Sequence, residues 1–183
     1  FYSSALSAGE HSVTLTVTDT DGLFASDVVI VTINAQVAAF PGAAGYGATS
    51  VGGRGGKVLI VDSLDDDEDS PATGTLRWAL LESGRRTVVF AVAGTITLQK
   101  RIQVFNPYLT IAGQTAPGEG ITVRMGDDTT GGLGGGPLIQ SFTHDVIVRY
   151  LRLRRGDNGA TGNSDSLSIM HGSQRVALDH LSL

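Results

Sequence analysis

The chain has no cysteine among its 183 residues, which excludes a disulfide framework and any thiolate metal site. Charge is also sparse: Asp, Glu, Lys and Arg make up 17% of the chain, and the formal net charge is -5. A nucleic-acid partner, which needs a basic stripe to neutralise phosphates, is therefore not expected. No apolar run approaches the roughly 20 residues that span a bilayer, so no membrane partner is expected either. The opening Phe1-Tyr2-Ser3-Ser4 lacks the charged and then apolar pattern of an export signal. Because the chain opens without Met and inside a strand-like region, it is expected to be a piece of a longer protein.

Glycine is abundant, at 25 residues. With so little charge, that composition favours tight turns and many short strands over helices, and the fold class expected is all-β. Residues Ser12 to Thr18 alternate, with Val13, Leu15 and Val17 on one face and threonines and a serine on the other, as a half-buried strand does. Asp21-Gly22 supplies a turn into a second alternating run, Ala25 to Ile33. Residues 1–35 read as one hairpin unit, 36–39 as a linker and 40–183 as a second unit of different texture.

The second unit begins with glycine-dense sequence from Phe40 to Lys57 and enters a strand at Val58. A phosphate-cradling loop is disfavoured there, because no helix N-terminus follows. Thr75 to Ser83 reads as an amphipathic helix with Leu76, Ala79 and Leu80 on one face and Gly84 as its stop. Short strands follow: Thr87 to Val92, Thr95 to Leu98, Leu109 to Ala112, Ile121 to Met125, Leu138 to Gln140, Val146 to Leu153, Leu167 to Met170 and Val176 to Leu183. One helix leading into many strands fits a cap over the open end of a solenoid.

The strands repeat in pairs. Ile102, Leu138 and Leu167 begin equivalent strands, and Leu109, Val146 and Val176 begin the strands after the next turn. Extra length falls in polar or glycine-rich insertions such as Asp127 to Gly136, as solenoids allow. Parallel stacking is favoured over a β-sandwich because successive units align in parallel. In that register Arg149 lies one rung from Asp179, and Tyr150 one rung from His180. An outward ion pair on a ladder is one reading of Arg149 and Asp179; Asp179 as a calcium ligand, with further oxygen donors nearby, is the other.

Several segments together resemble family 1 pectate lyases: AFPGAAGYG from Ala39, GGRGGKV from Gly52, GTLRWAL from Gly74, RTVVF from Arg86, GTI from Gly94, NPYLTIAGQTAPG from Asn106, VIVRYLR from Val146 and LDH from Leu178. The likeness runs in order from Ala39 to Leu183. It implies a right-handed parallel β-helix with an N-terminal capping helix, and a secreted or cell-surface, monomeric bacterial enzyme. The implied reaction is β-elimination on pectate, a 1,4-linked galacturonan, assisted by Ca²⁺. Asp179 and Asp165 are the metal carboxylates so implied, although Ala177 and Leu181 stand where the family usually has tryptophan and cysteine. For Asp165 a turn-holding role stays open. Arg149, Arg152 and Arg154 are candidate uronate contacts, with solvated surface as the equal alternative. None matches the family's arginine base, so the chain alone is expected to be inactive. The hairpin resembles the end of a PKD-type immunoglobulin-like sandwich.

The acidic run Asp65 to Asp69 is expected to be a solvated loop. His11, His144, His171 and His180 lack zinc spacing. A non-catalytic β-helix, an adhesin or carbohydrate-binding protein, is the alternative function.

Overall fold

The computed structural model describes residues 9–33, 37–126, 137–155 and 165–183. The insertion at Asp127 to Gly136 lies outside them. The chain divides into two compact units, Phe1–Val37 and Ala38–Leu183.

In the first unit, β1 (Gly9–Thr18) pairs antiparallel with β2 (Phe24–Ile33), Val13 opposite Val29. Asp19 closes the turn by accepting hydrogen bonds on Oδ1 from the backbone N–H groups of Asp21 and Leu23, both at 2.9 Å. Alternation predicted a covered face, yet Val13, Leu15, Val17 and Val29 are exposed. A two-stranded hairpin has no second layer of its own to cover that face.

The second unit is a right-handed parallel β-helix. Its strands are β3 (Lys57–Val61), β4 (Arg86–Phe90), β5 (Gly94–Leu98), β6 (Ile102–Val104), β7 (Leu109–Ala112), β8 (Ile121–Met125), β9 (Leu138–Ser141), β10 (His144–Arg149), β11 (Arg152–Arg154), β12 (Leu167–Met170) and β13 (Gln174–Asp179). They stack in three sheets of order β13-β10-β7-β4-β3, β11-β8-β5 and β12-β9-β6, so each of the three complete coils, β4-β5-β6, β7-β8-β9 and β10-β11-β12, contributes one strand to each sheet. Ile102 pairs with Leu138 and Leu138 with Leu167, while Leu109 pairs with Val146 and Val146 with Val176. This is the register of the sequence repeat. The inward residues Val88, Ile96, Ile102, Ile111, Ile121, Val146 and Val148 are essentially inaccessible and form the core.

Helix α1 (Leu76–Leu81) puts Leu76 and Leu80 against that core. Thr75 is its N-cap, accepting from the Trp78 N–H at 3.3 Å, a contact worth about 1 kcal/mol. The acidic loop differs from expectation. Asp66 is not solvated: its side chain is 1% exposed and takes a bidentate pair from Arg77 at 2.7 and 2.8 Å. The same carboxylate accepts the Gln99 N–H, so the loop is bound to both the helix and the first coil.

Two expected strands break. Val146 to Leu153 is split by Tyr150 at φ +55°, and Val176 to Leu183 by His180 at φ +50°. A single left-handed residue turns the chain from one sheet into the next, a conformation that costs an L-residue about 1–2 kcal/mol and that hydropathy does not reveal. Gly113 occupies the same column one rung before Tyr150.

The glycine-dense segment is a strap across the outer face of the five-stranded sheet. Gly47 lies against the backbone of Val176 and Ala177 on β13, and Gly53 against Arg86 and Thr87 on β4. Val51 and Gly53 donate their N–H groups to Asp145 Oδ1 (3.0 Å) and Thr110 Oγ1 (2.9 Å). A Cβ on Gly53 would stand 1.9 Å from the Arg86 carbonyl oxygen. Gly53→Ala is therefore expected to lift the strap and destabilise the protein by about 2–4 kcal/mol. Urea denaturation measures this; a loss below about 0.5 kcal/mol would show that the strap contributes nothing by its close approach.

Candidate functional site

On β10 and β13 the inward positions are valines and Leu178, so the alternate residues face outward. Arg149 and Asp179 are register partners there. Arg149 Nε and Nη2 both reach Asp179 Oδ2 at 2.6 Å, and His180 Nδ1 lies 2.8 Å from Oδ1. The guanidinium also lies 4.0 Å from the Phe40 ring centroid, so the strap covers one side of the pair. Next to them Tyr150 and His180 stack at 4.4 Å and 13°. Burial works against the charged carboxylate, but hydrogen bonds from His180 and Arg149 and the charges of both hold Asp179 below the usual carboxylate range.

The other candidates are placed elsewhere. Arg152 and Arg154 lie on β11, in a different sheet from Arg149. Arg152 Nε donates to Thr122 Oγ1 at 2.8 Å, and Arg154 donates to the carbonyl and hydroxyl oxygens of Ser182, each at 2.7 Å. Asp165 is exposed just before β12. Calcium takes about six to eight oxygens. Both oxygens of Asp179 are already engaged, and no group of three or more His, Cys, Asp or Glu side chains converges among the described residues. Arg149 occupies Oδ2 of Asp179, while Oδ1 has His180 as its one side-chain contact.

At the other end of the same two strands, β10 and β13, lies a cluster that the sequence pattern did not single out. Asp145, with its side chain 4% exposed, is gripped by Arg175 through Nε (3.1 and 3.2 Å) and Nη2 (2.6 Å), by the Val51 N–H and by His144 Nδ1 (2.8 Å). Burial would raise its pKa. The hydrogen bonds from Arg175, Val51 and His144, together with the Arg175 charge, outweigh that and hold it at about 2. Around it, Phe142 stacks on His171 at 5.2 Å and 13°, and Tyr108 meets His144 edge-on at 5.0 Å. The signal was present: extending the alignment of β10 with β13 by one residue toward the N-terminus sets Asp145 against Arg175.

No protein-family model matches the chain. Among curated proteins, the chain is 45% identical over 145 residues to a probable pectate lyase C of Emericella nidulans, covering 79% of this chain and 30% of that protein. A probable pectate lyase C of Aspergillus fumigatus is 44% identical over the same length and shares. A pectate lyase of Lilium longiflorum is 27% identical over 155 residues, covering 76% of this chain and 32% of that protein. Among solved structures, that of jun a 1, the major allergen from cedar pollen, matches at 29% identity and a TM-score of 0.47, covering 59% of this chain and 28% of that one. The chain thus spans about 30% of the fungal relatives it matches. These relatives support the pectate lyase family. They are fungal and plant proteins and give no support to the expected bacterial source.

Proposed function

We propose that this chain is part of a polysaccharide lyase that cleaves pectate by β-elimination, removing the C5 proton of a uronate and breaking the C4–O4 bond to leave an unsaturated sugar. The observation that carries this reading is the 45% identity with a probable pectate lyase, sustained over 145 residues. Fold alone would not suffice, since one scaffold hosts several chemistries.

Calcium assistance is proposed for the whole protein, with Asp165 offering an exposed carboxylate and Asp179 a carboxylate shared with Arg149 and His180. Arg149, Arg152 and Arg154 are proposed as cations that meet uronate groups near the coil surface, and the 183 residues alone are proposed to be inactive. The hairpin is proposed as the end of a PKD-like module, and the whole protein as secreted or displayed at the cell surface.

The test is an ultraviolet absorbance assay of the whole protein on polygalacturonate, with and without calcium, comparing wild type and Asp165→Ala. Calcium-dependent product that falls at least a hundredfold in the variant is expected. Intact protein that yields no product with added calcium would overturn the lyase, and polymer binding without product would favour the non-catalytic β-helix.

A further inference from the structure

We propose that Asp21, at the tip of the β1–β2 hairpin, is a site of backbone modification: it cyclises onto Gly22 and reopens as isoaspartate, at a pace that Asp19 sets. Asp21-Gly22 is the one Asp-Gly step in the chain, and both residues stand in solvent. Glycine has no Cβ to screen its nitrogen from the side chain before it. Gly22 lies at φ +84°, and a Cβ built there would meet nothing within 4 Å, so no neighbouring group crowds the step. The Asp21 carboxylate takes part in no hydrogen bond or ion pair among the described residues. The other aspartates of the hairpin differ: Asp19 accepts from two backbone N–H groups, and Asp27 accepts from the Val28 N–H at 2.8 Å.

The step needs no reactant but water. The Gly22 nitrogen bonds to the Asp21 carboxyl carbon, and the amide proton and the carboxyl hydroxyl leave as one water, closing a five-membered imide. A second water opens the imide at the former backbone carbonyl, so the main chain now runs through the Asp21 side chain with one more methylene and an unchanged mass. The turn holds the attacking nitrogen back. Its N–H donates to the Asp19 carbonyl at 3.2 Å, the long end of the hydrogen-bond range. Asp19 Oδ1 fixes the N–H groups on either side, those of Asp21 and Leu23, both at 2.9 Å. Attack requires that nitrogen to lose its proton and swing toward the Asp21 carboxyl, so these contacts must loosen first. Asp19 is thus a positioning residue that slows the reaction. An extra methylene between the register partners Thr18 and Phe24 would break the closing bond from the Asp19 N–H to the Leu23 carbonyl, now 2.9 Å. The site belongs to the first unit and does not rest on the lyase reading.

The test is ageing of the full chain in mildly acidic buffer at body temperature, beside a free peptide spanning Thr18 to Phe24. Isoaspartate is detected by enzymatic methylation and located by tandem mass spectrometry. Conversion at Asp21 without change of mass is expected, at least threefold slower than in the peptide. Asp19→Ala, which removes the side-chain acceptor, is expected to convert at least threefold faster than wild type. Asp19→Asn keeps an oxygen for the same two N–H groups and is expected to return to the wild-type pace, which separates the role of that oxygen from that of the charge. Asp21→Glu, whose ring would need six members, is expected to show no conversion at that position. No isoaspartate at Asp21 in the protein while the peptide converts would overturn the site. Conversion as fast as in the peptide, or an Asp19→Ala protein no faster than wild type, would overturn the part given to Asp19.

Discussion

Arg86→Met is expected to destabilise the protein by at least about 4 kcal/mol, a large part of the 5–15 kcal/mol that holds a typical domain folded. Arg86 is fully buried, and its guanidinium donates to five backbone carbonyls: Leu80 (2.8 Å), Gly84 (3.0 Å), Pro107 (3.1 Å), Ala79 (3.3 Å) and Asn106 (3.3 Å). The carbonyls of Ala79 and Leu80 belong to the last turn of α1, where no intrahelical donor remains for them. One positive side chain thus ends the capping helix, favourably placed at its negative pole, and ties it to the Asn106-Pro107 turn of the coil beneath. Burial lowers its pKa to about 10, against the opposing charge of Glu82, so it remains protonated at neutral pH. Methionine fills similar space and satisfies none of the five acceptors, each of which then carries a desolvation cost of about 1–3 kcal/mol. Lysine, with three donors and no planar fork, is expected to fall between the two. Urea midpoints of the three proteins measure this, and a methionine variant within 1 kcal/mol of wild type would contradict it.

Arg86 also shows where the sequence was silent. The apolar repeat gave the coil, because inward residues at Ile102, Leu138 and Leu167, and at Leu109, Val146 and Val176, carry a signal that survives insertions of any length between them. The same register brought Arg149 to Asp179 before any coordinates. What it could not give were features that depend on one residue rather than on a period. Tyr150 and His180 turn corners with no hydropathic mark, so one expected long strand was in fact β10 and β11 in different sheets, and the other β13 followed by a single bridge from Ser182 to Arg152. A charged residue at the head of β4 reads as a strand end, and only the structure shows its guanidinium bent back under the helix. The glycines of the strap were visible as glycines, but the reason for them is the backbone of strands up to 130 residues away, at Val176. The candidate site divided in the same way. Pairing along the ladder was legible, whereas the separation of Arg152 and Arg154 from Arg149 followed from the corner at Tyr150.

Asp145→Asn is expected to cost about 2–3 kcal/mol at neutral pH, and the cost is expected to vanish on acidification. The folded pKa of about 2 lies below the ordinary aspartate value of about 3.9. Folding therefore favours the ionised form, and the stabilisation is fully present above the unfolded pKa and lost as pH falls from about 4 toward 2. At about 1.4 kcal/mol per pKa unit, the shift corresponds to roughly 2.5 kcal/mol. Asparagine keeps an oxygen for the Val51 N–H, so the strap stays anchored, but it removes the charge that Arg175 and His144 grip. Unfolding free energies of the two proteins between pH 2 and pH 7 should run parallel above pH 5 and converge near pH 2. A constant difference across that range would mean that Asp145 acts through shape and not through charge. Asp145→Ala, which also frees the Val51 N–H, is expected to lose about 1 kcal/mol more than Asp145→Asn at every pH, and this increment should persist where the charge effect has gone.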